Sequence, residues 1–178
     1  MSKRQFDITV VFENVNDPHN IAACLRSCDA VGIAEVFILS TKEKNQSKLS
    51  KKSSASASKW LTINHYSSTA ECFTALRKSY SKIFATKLGI SSIDLYHMNF
   101  TESLALVFGN EKDGVSEEAA ALCDGNFIIP QVGMIESLNI SVACAVTLYE
   151  AYRQRMTAGF YQKPNDKFET IVSEWLKK

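Results

Sequence analysis

The segment 14–26 places an amide and a guanidinium immediately after the apolar run 7–12. Asn20 and Arg26 fall on the first turns of a predicted helix, close to the end of a predicted strand. An arginine there offers a fixed fork of donors that suits a phosphate or a developing oxyanion. Spacing alone favours the simpler interpretation, in which Arg26 is a surface residue and Asn20 a capping residue.

The segment 106–118 runs from an apolar strand into a glycine-containing turn and then into a predicted helix. Gly109 and Gly114 permit a tight turn and a close approach of the backbone to a ligand. Ser116 is the predicted N-cap of the helix. Glu111 lies at the mouth of the turn, where its carboxylate could bind a hydroxyl or orient an arginine. Because strand, turn and capped helix often follow one another, this segment alone is a weak indication of a site.

The segment 128–143 follows a third apolar run, which ends at Pro130. Backbone donors and acceptors in the loop after Pro130 can bind an adenine edge without any charged side chain. Ser137 or Asn139 begins a long predicted helix. Small residues on this helix permit close packing on another helix; they are Ser141, Ala143, Cys144 and Ala145. The same pattern would fit an ordinary junction between a strand and a helix.

The three segments belong to a chain in which strand-like apolar runs alternate with helical patterns. This alternation predicts an α/β domain around a mostly parallel sheet, in which ligands bind at the carboxyl ends of the strands. The predicted strands are 7–12, 35–39, 82–86, 104–108 and 126–129, and the predicted helices are 21–32, 69–80, 116–122 and 137–155.

The composition is that of one globular domain, with 178 residues, of which 46% are hydrophobic and 22% charged. No apolar run is long enough to cross a bilayer, and the first residues show no signal peptide. We therefore expect a cytoplasmic protein with no membrane partner. The net charge of +1 excludes a global basic field, so RNA binding would depend on a local concentration of charge.

The five cysteines predict core thiols rather than a metal site. Cys24 and Cys28 are four residues apart, on one face of a helix, which by itself would also suit a metal pair. No second Cys or His pair stands at a ligand-like spacing, and zinc sites need three or four ligands. We therefore expect reduced, buried thiols and no metal.

The segment 42–59 is the one local concentration of positive charge, with six lysines, six serines and a single acid. Its simplest interpretation is a solvated, flexible loop. The segment 162–178 predicts a short helical tail after a main domain that covers residues 1–161. The apolar face of this tail, which would pack on the domain or on a second subunit, consists of Phe168, Ile171, Val172 and Trp175.

In this order, the three polar segments resemble the motifs of the SpoU family of RNA methyltransferases, in the SPOUT superfamily. The resemblance covers residues 7–161, and Gln131 stands where methionine is usual. The matching residues are Asn20, Ala23 and Arg26 in the first motif, Phe108, Gly109, Glu111, Gly114 and Ser116 in the second, and Ile129, Pro130, Gly133, Ser137, Leu138, Asn139, Ser141, Val142 and Ala143 in the third.

The resemblance implies a fold threaded as a deep trefoil knot, with S-adenosylmethionine bound in the knot and a ribose 2′-hydroxyl of RNA as the methyl acceptor. It also implies a homodimer in which Arg26 of one subunit completes the site of the other. The implied cofactor-binding residues are Thr86, Gly109, Ile129, Met134 and Leu138. The implied catalytic residues are Arg26, Asn20, Glu111, Ser137 and Asn139.

Arg26 is expected to stabilise the developing 2′-alkoxide rather than to act as a base, because arginine is not deprotonated readily in a protein. Glu111, Ser137 and Asn139 would shape the site and position Arg26 or the ribose.

Within the family, the sequence most resembles the subgroup that methylates guanosine 18 of tRNA, through its basic loop at 51–60 and its helix ending at 149–155. The RNA-binding residues that this resemblance implies are Lys51, Lys52, Lys59, Arg153 and Arg155. Two alternatives remain open at this point. One is methylation of ribosomal RNA or of another tRNA position, and the other is a non-enzymatic binding paralogue, against which the full set of candidate catalytic residues argues.

Overall fold

The computed structural model describes residues 3–42, 58–89, 91–135, 137–162, 172–173 and 175–176. Within these ranges, seven parallel strands form one sheet in the order β3-β2-β1-β6-β4-β7-β5. The strands are β1 (Ile8–Glu13), β2 (Glu35–Leu39), β3 (Thr62–Tyr66), β4 (Lys82–Thr86), β5 (Ile93–Asp94), β6 (Leu104–Phe108) and β7 (Gly125–Ile128). The helices are α1 (Pro18–Val31), α2 (Thr69–Ser79), α3 (Glu117–Ala121) and α4 (Ile140–Thr157).

The predicted α/β architecture is confirmed, but β3 and β5 were missed in the sequence. Both are edge strands of the sheet. β3 contains Asn64 and His65 and is only partly buried, and β5 is two residues long. An edge strand pairs along only one of its sides and is less fully covered than a central strand. Neither therefore needs the uninterrupted apolar run by which the central strands were predicted.

Two hydrophobic layers cover the two faces of the sheet. Alternate residues of β1 face opposite layers: Val10 and Phe12 belong to the layer under α1 and α4, and Val11 belongs to the layer under α2 and α3. β1 and β6 lie at the centre and are buried along their whole length. Each large apolar side chain buried in this way contributes about 1.5–3 kcal/mol.

The thiols of Cys24, Cys28 and Cys144 lie in the layer between the sheet and α1 and α4, as predicted for core cysteines. Burial raises the pKa of Cys72, in the other layer, to about 12. Among the described residues, no group of His, Cys, Asp and Glu could hold a metal ion. In the same part of the chain, no helix is both long and apolar enough to span a membrane.

Of the two residues predicted to begin α4, Ser137 and Asn139, the structure has the second, because the helix runs from Ile140, directly after Asn139. Asn139 is its N-cap, and the side-chain oxygen of Asn139 accepts a hydrogen bond of 2.8 Å from the backbone N–H of Ser141. The preceding residues are therefore left in the loop, where their backbone groups stay outside the helical hydrogen-bond pattern.

Arg155 lies inside the protein, where it ties α4 to the amino-terminal edge of the sheet. Its side chain is 1% exposed and forms an ion pair of 2.6 Å with Asp7, just before β1. The guanidinium also donates to the carbonyls of Phe100 and Glu102, at 2.8 and 2.9 Å. The prediction that Arg155 binds RNA phosphates is therefore wrong, because its donors are buried and already bonded within the chain.

Replacing Arg155 with alanine should lower the free energy of unfolding by about 3 kcal/mol, since two backbone carbonyls and Asp7 lose their partner. Lys78→Ala is the matched control, because Lys78 is an exposed cation of α2 and only a small change is expected. Urea unfolding at one fixed protein concentration measures both variants. Equal losses of stability would contradict the structural role of Arg155.

Candidate active site

Three neighbouring strands end beside the predicted cofactor residues. β6, β4 and β7 are adjacent in the sheet, and their carboxyl ends lie next to Gly109, Thr86 and Ile129 respectively. The hydroxyl of Thr86 donates to the carbonyl of Val107 at 3.1 Å, which fixes its side chain at this edge. The carboxyl edge of a parallel sheet is where α/β proteins bind ligands. The chain thus brings these three candidates to one edge.

A chain of side-chain hydrogen bonds joins the three polar segments at this edge. The Asn20 Nδ2 group donates to Oε1 of Glu111 at 2.5 Å. The Asn139 Nδ2 group donates in turn to Oδ1 of Asn20 at 3.2 Å. Residues 20, 111 and 139, which are far apart in sequence, therefore form one connected polar cluster.

The direction of each bond in this chain follows from the chemistry of Glu111. An ionised carboxylate only accepts hydrogen bonds, so Asn20 must turn its NH₂ group towards Glu111 and its oxygen towards Asn139. Asn139 must then donate its NH₂ group to Asn20, which leaves its own oxygen to cap α4. Asn139, the N-cap of α4, and the carboxylate of Glu111 therefore fix each other's orientation through Asn20.

The loop after β6 is a tight turn, fixed by hydrogen bonds to the Asn110 side chain and by a close approach of its own backbone. The Asn110 side chain accepts from the backbone N–H groups of Lys112 and Asp113 at 2.9 and 2.8 Å. A Cβ atom on Gly109 would lie 1.9 Å from the carbonyl carbon of Gly114, where φ is +67°. A glycine is therefore required at position 109 because the backbone of Gly114 lies so close. The sequence pattern alone could not show whether the protein's own backbone or a ligand made this approach.

Arg26 and Ser137 are not part of the polar cluster within one chain. Arg26 follows Asn20 by six residues, which in an α-helix is about 9 Å along the axis and about 120° around it. Arg26 is exposed, and in the described residues it has no ion pair or hydrogen bond. Ser137 is also exposed, in the loop before α4.

The loop before α4 presents apolar side chains to solvent. Val132, Met134 and Ile135 are 107%, 99% and 62% exposed, whereas Leu138 and Ile129 are half-buried. Exposed apolar groups that cluster beside a polar site indicate a surface that a ligand or another chain covers.

The predicted RNA-binding residues differ in whether the structure describes them and in whether they are already bonded within the chain. Lys51 and Lys52 lie outside the described residues. Lys59 is exposed, and its Nζ atom lies 5.0 Å from the centre of the Trp60 ring. Arg153 is exposed, but it forms two hydrogen bonds with Glu150, at 2.8 and 2.7 Å.

Glu13 is a buried polar residue at this edge that the sequence reasoning missed. It is the last residue of β1 and is 1% exposed. Its carboxylate accepts hydrogen bonds from both the backbone N–H and the hydroxyl of Ser116. The signal available in the sequence was a glutamate that directly continues an apolar strand.

Gly109→Ala should lower the free energy of unfolding by about 2 kcal/mol, because the added methyl overlaps the backbone of Gly114. Gly133→Ala is the matched control, since a Cβ there has no atom within 4 Å. Thermal or urea unfolding distinguishes the two substitutions. If both changed stability alike, the close approach at Gly109 would not be the constraint on this loop.

Residues 7–149 match the SpoU rRNA Methylase family. The tRNA (guanosine(18)-2'-O)-methyltransferase of Thermus thermophilus is 39% identical over 181 residues, which cover 100% of this chain and 92% of the relative. The protein of the same name from Escherichia coli is 36% identical over 165 residues, covering 93% of this chain and 71% of the relative.

Solved structures show the same similarity. The A. aeolicus TrmH/SpoU tRNA modifying enzyme has a TM-score of 0.87 at 34% identity, covering 98% of this chain and 88% of its own. The SpoU methyltransferase AviRb from Streptomyces viridochromogenes, in complex with AdoMet, has a TM-score of 0.74 at 27% identity, covering 86% and 62%. With the family motifs joined at one edge of the sheet, this chain belongs to the SpoU RNA methylase family.

Proposed function

We propose that this protein transfers a methyl group from S-adenosylmethionine to the 2′-hydroxyl of guanosine 18 in tRNA. The observation that supports this function best is the hydrogen-bond chain from Glu111 through Asn20 to Asn139, which assembles the family's motifs at the carboxyl edge. Relatives that are 33% to 39% identical, over 93% or more of this chain, have that activity in their names. A cytoplasmic location, where tRNA is found, would follow from this substrate.

The residues at the edge fit S-adenosylmethionine. Ile129, Leu138 and Met134 supply apolar surface for an adenine, and the loops at 109–114 and 130–135 supply backbone donors and acceptors. Backbone groups of these loops can bind the adenine edge and the zwitterionic amino-acid part of the cofactor, whose sulfonium supplies the methyl group. We propose that Thr86, Gly109, Ile129, Met134 and Leu138 hold it. Family membership also implies the deep trefoil knot around this site.

The chain's own residues have two tasks in the reaction. The first is to hold the ribose in line, for which Asn20, Glu111, Ser137 and Asn139 present amide, carboxylate and hydroxyl groups. The second is to stabilise negative charge on the 2′-oxygen as its proton passes to solvent water. A guanidinium suits this second task because it stays charged and cannot itself accept the proton. We assign this task to Arg26.

The separation of Arg26 from the polar cluster favours a site that two subunits share. Val142, Tyr149 and Met156 are 47%, 54% and 47% exposed and recur every seven residues, so they form one apolar stripe along α4. A second copy of the chain packed on this stripe would cover it. Cys144 and Leu148, on the same helix, are buried within the chain and do not belong to this stripe.

Transfer of a labelled methyl group to RNA tests the proposed substrate. The acceptors are a tRNA transcript, the same transcript with 2′-deoxyguanosine at position 18, and a ribosomal RNA fragment. We expect label only in the first, because the second lacks the acceptor oxygen. Label in the deoxy transcript would exclude guanosine 18 as the site. Label in ribosomal RNA alone would favour the function of a relative from Vibrio cholerae named as a 23S rRNA methyltransferase, which is 35% identical.

Arg26→Ala should reduce turnover by about a hundredfold or more while cofactor affinity changes little, since Arg26 is assigned to the transition state alone. Lys78→Ala, which removes an exposed cation of α2, is the matched control. Calorimetry measures affinity and single-turnover kinetics measures the chemical step. An equal loss of cofactor affinity would contradict the assignment.

The shared site is tested by mixing inactive chains. An Arg26→Ala chain and a Leu138→Arg chain should each be inactive, and their heterodimer should regain one complete site. Activity should also fall on dilution as the dimer dissociates. An active monomer in sedimentation, or no activity in a proven heterodimer, would rule out the shared site.

A further inference from the structure

We propose that Glu13 is a positioning residue for methyl transfer, which fixes the loop 109–116 through Ser116. This inference rests on the proposed function. Oε2 of Glu13 accepts from the backbone N–H of Ser116 at 2.9 Å, and Oε1 accepts from the Ser116 hydroxyl at 2.5 Å. One carboxylate therefore uses both of its oxygens on a single residue that is 103 positions later in the chain.

Burial makes this carboxylate costly unless its hydrogen bonds are made. Glu13 is 1% exposed, and its strand is otherwise apolar from Val10 to Phe12. In the part of the chain that the structure describes, no Lys, Arg or His forms an ion pair with it. An apolar residue would satisfy the packing of β1 without this desolvation cost. The specific contribution of the carboxylate is thus its pair of bonds to Ser116.

Consecutive residues of β1 hold the two ends of the loop. Phe12 pairs with Phe108, directly before the loop, and Glu13 binds Ser116, at its end. Ser116 is also the N-cap of α3, and its hydroxyl oxygen accepts from the N–H of Ala119 at 3.1 Å. The strand therefore fixes where the loop leaves the sheet and where it enters the next helix.

The loop fixed in this way holds two residues of the proposed site. Gly109 lies at its start beside β4, and Glu111 within it receives the hydrogen bond from Asn20. If Ser116 were released, the loop would lose one of its two attachments to β1, and both the backbone at Gly109 and the carboxylate of Glu111 would gain freedom. Glu13 touches neither substrate nor cofactor in this arrangement, so its effect on the reaction passes through the loop.

The test compares Glu13→Gln, Ser116→Ala and the double variant. The probes are calorimetric affinity for S-adenosylhomocysteine, which cannot react, and amide hydrogen exchange of residues 109–116 in the protein alone. We expect each single variant to bind the probe about tenfold more weakly and to exchange faster in the loop, because a bond to a charged group is lost. The double variant should lose less than the sum of the two single variants, since both alter the bond between Glu13 and the Ser116 hydroxyl, while Ser116→Ala alone also removes the N-cap of α3.

Glu35→Gln is the matched control. Glu35 begins β2 at the opposite edge of the sheet, and its carboxylate accepts from the Tyr80 hydroxyl at 2.6 Å and from Asn64 at 3.0 Å. The Glu35→Gln variant should be less stable than the unchanged protein, but its affinity for S-adenosylhomocysteine and the hydrogen exchange of residues 109–116 should not change.

In the Glu13 variants, the KM for RNA should stay near the unchanged protein's value while the KM for the methyl donor rises.

Unchanged affinity and exchange in Glu13→Gln, or additive losses in the double variant, would overturn the positioning role. Exchange is measured without any ligand, so this result does not depend on the identity of the RNA. A protein that binds S-adenosylhomocysteine but methylates no tRNA would contradict the proposed function and leave the test of Glu13 intact.

Discussion

Parallel pairing of β1 with β6 is the constraint on which the rest of the structure depends. It aligns Val10 with Leu106 and Phe12 with Phe108, in strands that are buried along their whole length. A shift of one residue would turn every side chain of β1 to the other face of the sheet. The pairing therefore determines both hydrophobic layers, and it also determines that the loops after the two strands meet at one edge.

The two edges of the sheet have different chemistry. At the amino-terminal edge, Arg155 is buried among carbonyls and Asp7, and its contacts hold α4 in place. At the carboxyl edge, Asn20, Glu111 and Asn139 are joined to one another while remaining accessible. Stability and the proposed chemistry are thus supported by separate sets of polar residues, which both connect to α4.

The features that were predicted correctly from the sequence are those that depend on a local pattern of residues. Apolar runs predicted β1, β2, β4, β6 and β7, and motif order predicted the family, because both depend on local pattern. Burial of a charged side chain depends on the fold around it, so Arg155 was misassigned from its position at a helix end. Glu13 and the backbone contact at Gly109 were missed for the same reason: their partners, Ser116 and Gly114, are identified only by the folded loop.

Asn139 has one role in the fold, as the N-cap of α4, and another in the polar cluster, through its hydrogen bond to Asn20. Aspartate and asparagine are equally good at the N-cap of a helix, so α4 does not distinguish between them. The hydrogen bond to Asn20 does distinguish them, because it needs the NH₂ group, which the carboxylate of aspartate lacks. Exchange of this one amide for a carboxylate would therefore leave α4 capped while it broke the link to Asn20. The helix and the polar cluster place different demands on one side chain, and only the cluster requires the amide nitrogen.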